Sequence, residues 1–252
     1  MKLRSSTFFT VLFALAGFQS FSQGKMTIEP LVETNQFPKA KLTISDIKTE
    51  MLGTDSVKMS VNFGVANYKL TQQTMDMMSG ECANSNNGQH IHFILDNKPY
   101  QALYKPENKV NLPINSEHYL LCFLSRSYHL SVKSPQASVL LHFKIDAKGN
   151  IIKLANTTAP MLFYSRPKGE YVGKDTENVL LDFYVKNTKI APDAYKVQVS
   201  VADTTFIVDQ WQPYFIKNAP LGELKLNIQL LDKKGNMMRG NYTSISRTIL
   251  LK

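Results

Sequence analysis

An internal repeat constrains this chain more than any other feature. Phe63-Gly-Val65-Ala-Asn67-Tyr-Lys69-Leu70 is matched by Phe183-Tyr-Val185-Lys-Asn187-Thr-Lys189-Ile190, with Phe, Val, Asn and Lys identical. Residues 88–125 then align without a gap to residues 195–232, pairing Asp96 with Asp203, Pro106 with Pro213, Asn111 with Asn218, Pro113 with Pro220 and Leu124 with Leu231. Tyr104-Lys-Pro106 falls on Trp211-Gln-Pro213. Similarity kept in order over this distance marks a duplicated structural unit.

Both units are written with period two. The first offers Lys41–Ile47, Val57–Val65, Ile91–Asp96, Tyr119–Leu124 and Val139–Ile145; the second offers Val179–Val185, Val197–Val201, Leu224–Leu230 and Ser244–Leu251. Short segments rich in Val, Ile, Phe and Tyr, separated by Asn, Gly, Pro and Asp, are strands joined by turns. Long helical periodicity is absent. About seven strands in roughly 90–100 residues predict an immunoglobulin-like or fibronectin-like β-sandwich, repeated in tandem, although the Cys-Trp-Cys spacing of antibody domains is missing. Asp146 to Pro160 has the composition of a turn and a linker. The expected domains are 23–150, with an inserted loop at 71–87, and 151–252.

The first residues carry a basic head (Lys2, Arg4), an apolar stretch from Phe8 to Phe18 and small residues at Ser20 and Ser22. This is the order of a secretory signal, with cleavage expected after Ser22. Export to the periplasm, the cell surface or the medium follows. No cysteine sits near that site for lipid attachment, and no later stretch approaches the roughly 20 apolar residues of a membrane helix. Removing residues 1–22 takes away Lys2 and Arg4 and lowers the formal charge from +9 to +7. The remaining lysines are scattered and accompany no zinc-finger spacing or RNA-binding motif, so the basic balance is a solvated surface and not a nucleic-acid interface.

The two units differ in chemistry. All five histidines (His90, His92, His118, His129, His142) and both cysteines (Cys82, Cys122) lie in the first. The first unit also carries 13 more residues on the gap-free alignment, in a stretch holding Met75, Met77, Met78 and Cys82. On that alignment His90 and His92 replace the inward-facing Val197 and Val199. Buried imidazoles need hydrogen bonds or a metal ion. His-x-His on a strand aims both rings the same way, a geometry used by zinc and copper sites. His118, His129 and the methionine thioethers are candidates for the remaining ligands; hydrogen-bonded histidines at the sandwich rim are the alternative.

Cys82 and Cys122 are expected to pair as a disulfide in an exported chain, with thiolate ligation as the other option. Cys122, opposite Gln229, is placed on the outer face, so the bridge would staple the inserted loop across Leu120 and Leu124. Ser125-Arg126-Ser127-Tyr128-His129 is the densest polar cluster, able to hold an anion through Arg126 or to form a turn. Gly-x-Ser-x-Gly, His-Glu-x-x-His and phosphate-loop motifs are absent, which argues against an enzyme.

The run Gly88-Gln-His90-Ile-His92-Phe-Ile-Leu-Asp96-Asn-Lys-Pro99-Tyr100, followed by Glu117-His118-Tyr119 and Leu124-Ser-Arg126-Ser-Tyr128-His129, resembles a group of exported two-domain β-sandwich proteins of Bacteroidetes often labelled phosphopeptide-binding. The resemblance covers mainly the first unit. It implies that His90, His92, Asp96, His118, Arg126 and His129 form a shared feature, suited to a cation at the histidines or an anion at Arg126. The leading expectation is a non-enzymatic binding protein taking copper or zinc through His90 and His92 with His118 or His129. The rivals are a structural or adhesive surface module that meets a protein partner, and an anion or phosphopeptide binder centred on Arg126 and Lys133.

Overall fold

The computed structural model describes residues 24–31 and 37–252, so the expected signal segment at 1–22 lies outside the described residues. Strand β1 (Thr27–Pro30) precedes a first group: β2 (Lys41–Leu52), β3 (Ser56–Ala66), β4 (His90–Leu95), β5 (Gln101–Leu103), β6 (Glu107–Pro113), β7 (Ser116–Ser125), β8 (Ser138–Ile145) and β9 (Ile151–Leu154). A second group follows: β10 (Met161–Arg166), β11 (Gly169–Tyr171), β12 (Val179–Lys186), β13 (Lys196–Val201), β14 (Thr204–Val208), β15 (Tyr214–Lys217), β16 (Gly222–Leu231) and β17 (Ser244–Leu251). The first group forms sheets of order β2-β3-β6 and β5-β4-β7-β8-β9; the second forms β1-β15-β12-β10 and β11-β17-β16-β13-β14. These are two tandem β-sandwiches of immunoglobulin-like or fibronectin-like strand order, the all-β class expected.

The duplication is visible strand by strand. Leu42 pairs with Val65 as Leu162 pairs with Val185, and both pairs then slip by one residue, leaving Ser45 and Ser165 as bulges. Asn67 and Asn187 end β3 and β12 at φ 55° and 58°. Asparagine tolerates this left-handed backbone, and its amide closes the corner by donating to Lys39 O in one unit and to Thr157 O and Ala159 O in the other. The two copies stand 120 residues apart through these strands. Beyond the inserted loop the separation is 106, because His90 pairs with Ser125 as Lys196 pairs with Leu231. The gap-free sequence alignment, at 107, is therefore one residue out, and the first unit's loop is longer by 14 residues instead of 13.

A one-residue slip exchanges the two faces of a strand. His90 thus stands where Lys196 stands, while Ile91 and Phe93 take the inward positions beside Val57, Met59, Leu120, Cys122 and Leu124. The expectation that His90 and His92 point into the first sandwich is corrected accordingly. They face outward and are fully buried, His92 against Ser165 of the second unit.

That burial comes from direct packing between the units. Leu121 and Phe123, on the outer face of β7, join Ile94, Tyr100, Met161, Phe163 and Tyr184 in a core of their own. Phe123 stacks on Tyr184 with 4.9 Å between ring centroids. Asp182 of β12, fully buried, accepts from Ser131 N at 3.2 Å, Ser131 Oγ at 2.9 Å and Lys133 Nζ at 2.7 Å. Asn97 donates to Leu162 O at 2.8 Å and accepts from Tyr164 N at 3.0 Å, covering the edge of β10. The chain also crosses between units at its start: β1, counted with the first domain in the sequence boundaries, pairs with β15 of the second sheet system. Asp146–Asn150 is a hairpin turn into β9, so the first sandwich runs on to Leu154.

The expected disulfide is not formed. Cys82 and Cys122 are both free and buried. Cys122 lies in the first core with Leu120 and Leu124, on the face opposite to the one expected, for the same reason of register. Cys82 packs with Leu31, Tyr128, Leu130, Leu180 and Phe215. Burial pushes the Cys82 thiol up to about 12 and holds the Cys122 thiol well above its ordinary value, so both act as small apolar groups. Thiol titration should find no fast-reacting group in the native protein and two after unfolding; a bridged pair would give none in either state. Asp182→Ala leaves Lys133 buried without its anion and should lower unfolding stability by about 3–5 kcal/mol. Denaturant titration showing a loss under about 1 kcal/mol would contradict the clamp.

Candidate functional site

His90 and His92 share the outer face of β4, two residues apart, and His129 comes from the hairpin that follows β7. One ring nitrogen from each lies within 4.8 Å of the others. His90 Nε2 is 3.0 Å from His92 Nε2 and 3.1 Å from His129 Nδ1. His90 Nδ1 lies 2.8 Å from Gly88 O, an acceptor, so Nδ1 carries the proton and Nε2 presents a lone pair to the cluster. Gly88 has φ +80°, and a Cβ there would meet Thr71 O at 2.4 Å, so only glycine lets this carbonyl reach His90. His92 Nδ1 lies 3.2 Å from Ser165 Oγ, the residue that the bulge in β10 pushes out of register.

His129 is held in an uncommon backbone conformation. Its hairpin occurs three times among the described residues: Arg126–Leu130, Asp146–Asn150 and Asp232–Asn236 each close with the first residue's N–H on the fifth carbonyl and the fourth N–H on the first carbonyl. The fourth residue is Gly149 at φ 80°, Gly235 at φ 85° and His129 at φ 70°. A side chain in this region costs on the order of 1–2 kcal/mol. The first hairpin bears that cost and places an imidazole on His90.

Aromatic rings wall the cluster. Tyr100 stacks on His92 at 3.6 Å and 8°, with its hydroxyl 3.3 Å from His129 Nδ1. Phe123 and Tyr104 lie 5.0 Å and 5.1 Å from His92 and His90. Burial lowers His90 to about 4, with the Arg166 charge adding to it. Burial also keeps His92 well below the ordinary histidine value, helped by His90, His129, Arg166 and Lys168, and lowers His129 with Arg166, His90 and Lys168. All three imidazoles are neutral near pH 7, the form that ligates metals. A tetrahedral ion with bonds near 2.0–2.1 Å separates its nitrogens by about 3.3–3.4 Å, so the two spacings at His90 Nε2 need a few tenths of an ångström of relaxation, while the third pair lies within 4.8 Å.

The other predicted residues lie elsewhere. His118 is at the far end of β7, roughly 23 Å along the strand from the Ser125 that pairs with His90. Its Nδ1 is 2.7 Å from Asp96 Oδ2 and its Nε2 is 2.7 Å from Ser116 Oγ, so neither nitrogen faces the cluster. Asp96 also accepts from Tyr119 N and holds a turn. Arg126 is fully buried, donates from Nη1 to Ser131 O at 3.1 Å and lies 5.5 Å over Phe37, an internal position closed to a peptide. Lys133 is engaged by Asp182. Met75 and Met77 are exposed, and Met78, from the same inserted loop, packs against the apolar cluster of Cys82 and Tyr128. Sequence reasoning missed Tyr100 of the first unit, which stacks on His92, and Ser165 and Lys168 of the second, which meet His92 and Tyr100 across the unit junction. His129 in place of Gly235 was readable once the turns were aligned at 106.

No protein-family model and no curated protein matches the chain. Among solved structures, the fibronectin(III)-like modules of Clostridium thermocellum CbhA align over 84% of this chain and 94% of that one, with 12% identity and a TM-score of 0.29. The central fibronectin-III array of RIM-binding protein aligns over 84% of this chain and 69% of that one, with 9% identity and a TM-score of 0.23. Similarity at this level says nothing of what the chain binds.

Proposed function

We propose that this chain is an exported, non-enzymatic binding protein that holds one copper or zinc ion on His90, His92 and His129 at the junction of its two sandwiches. The observation that carries this reading is the approach of three neutral ring nitrogens to within 4.8 Å of one another, with one supplied from a left-handed position that the other copies of the turn fill with glycine. Backbone strain kept at one site is a mark of a side chain retained for what it does. A metal ion takes the lone pairs of all three nitrogens at once; without it His129 Nδ1 has the Tyr100 hydroxyl as its donor and His90 Nε2 has a proton on His92 Nε2. Gly88 O and Ser165 Oγ orient the rings from behind, as outer partners do for ligating histidines. His90 and His92 have no exposed surface, which suits a small ion and not a peptide. The basic, apolar and small-residue order of residues 1–22 supports export.

Elemental analysis after exposure to copper or zinc and desalting should find about one equivalent in the parent protein and under about a tenth in the His90→Ala, His92→Ala double variant, three ligands being the minimum for a held ion. Equal retention in both, or none in either, means that the histidines are hydrogen-bonded interface residues of a structural module. His129→Gly restores the residue of the second unit: metal affinity should fall roughly 100-fold, while stability without metal changes by no more than about 1 kcal/mol as strain relief offsets lost ring contacts. Isothermal titration and denaturant unfolding separate the two effects.

The metal-free protein should also lose stability in acid. His90 has a folded value of about 4 against 6.5 for the free side chain, so the unfolded chain binds the extra proton below about pH 6.5. The contribution is complete above pH 6.5, is lost as pH falls towards 4, and amounts to about 3 kcal/mol for a shift of this size. Unfolding measured across this range should be markedly flatter for His90→Ala than for the parent. Parallel curves would contradict the neutral cluster.

A further inference from the structure

A cleft of about 300 Å³ lies at the other end of the unit junction, a size near the lower end of the range for small-ligand pockets. The first unit lines it with Glu117 and Tyr119, the second with Met161 and with Met238, Arg239 and Tyr242 from the loop between β16 and β17. Tyr119 stands about 20 Å along β7 from the Ser125 that pairs with His90, so the cleft is separate from the histidine cluster. Thr243 O accepts from Leu230 N as Ala137 O accepts from Leu124 N, which sets Tyr242 where the first unit has Gln136. Tyr242 has φ 63°, a left-handed value that a bulky aromatic seldom takes and that Gln136 does not share. Strain of this kind is kept at ligand clamps. It holds the Tyr242 ring edge-on to Tyr119 at 5.2 Å, with Phe163 at 5.3 Å.

The two charges on the cleft do not pair with each other. Glu117 Oε1 accepts from His142 Nε2 at 2.7 Å, while Oε2 has no hydrogen bond among the described residues. Arg239 is exposed and has neither a hydrogen bond nor an ion pair among the described residues. A ligand that carries only one charge leaves one of these groups unmatched; a zwitterion matches both. Tyrosine rings and thioethers around them favour a flat aromatic body, through ring–ring and sulfur–ring contacts. We propose that this cleft binds a free amino acid with an aromatic side chain, its carboxylate on Arg239, its ammonium on Glu117 and its ring among Tyr119, Tyr242, Met161 and Met238. The site goes beyond the metal reading and stands or falls without it.

The test is an NMR titration of the purified chain with L-phenylalanine, phenylacetate and phenethylamine, a method that reads weak binding. L-phenylalanine should saturate one site, and each of the other two, lacking one charge, should bind roughly tenfold more weakly. Arg239→Gln should weaken L-phenylalanine and phenylacetate roughly tenfold and leave phenethylamine unchanged. Glu117→Gln should weaken L-phenylalanine and phenethylamine and leave phenylacetate unchanged. Both side chains are exposed, so the variants should keep the parent's fold, which their own spectra check. No saturable shift with any of the three compounds, or shifts that both variants leave unchanged, overturns the site and returns Glu117 and Arg239 to solvated surface charges.

Discussion

Leu121, Phe123 and Ile94 project from the outer face of the first sandwich and are buried by Met161, Phe163 and Tyr184 of the second. Burying a large apolar side chain contributes roughly 1.5–3 kcal/mol, so a cluster of this size closes the two units on each other. The polar groups along the margin of that contact lose water with it and have to find partners inside the protein. Asp182 takes Lys133 and Ser131, Asn97 takes the edge of β10, and the histidines take one another. The candidate centre is thus a product of the contact between the units. All three histidines come from the first sandwich, and the second supplies Ser165 behind His92 and Lys168 on Tyr100.

The same duplicated scaffold serves two purposes in the two copies. The second keeps Asp232 and Gly235 in its hairpin, with the carboxylate capping the backbone amides of Lys234 and Asn236 and glycine accepting the left-handed position. The first gives up both devices. Arg126 replaces the capping acid and turns inward, and His129 replaces the glycine. A local rule broken twice in one turn, and obeyed in its two counterparts, is where function is to be sought in a repeated fold.

Much of the architecture was legible because it depends on local chemistry. Period-two segments, Asn67 and Asn187 at matching corners and the order of shared residues are enough to call two β-sandwiches. Face assignment was not, because it depends on register, and strands such as β7, β10 and β12 are buried on both sides, so their sequences do not alternate. One residue of error placed His90, His92 and Cys122 on the wrong faces; the disulfide was expected from export and from two lone cysteines, and burial in separate cores keeps them apart. His90, His92 and His129 were still nominated, since imidazole spacing on a strand survives such a slip. His118 was nominated wrongly: nothing local in Glu117-His118-Tyr119 reveals that Asp96 and Ser116 engage both its nitrogens.

X-ray absorption spectroscopy of the zinc- or copper-loaded protein reads which atoms hold the ion. Three imidazole nitrogens near 2.0–2.1 Å and one further light-atom ligand are expected, with no sulfur in the shell, since both thiols are buried elsewhere. A shell containing sulfur near 2.3 Å, or one made of water oxygens without the outer-shell scattering of imidazole rings, would contradict it.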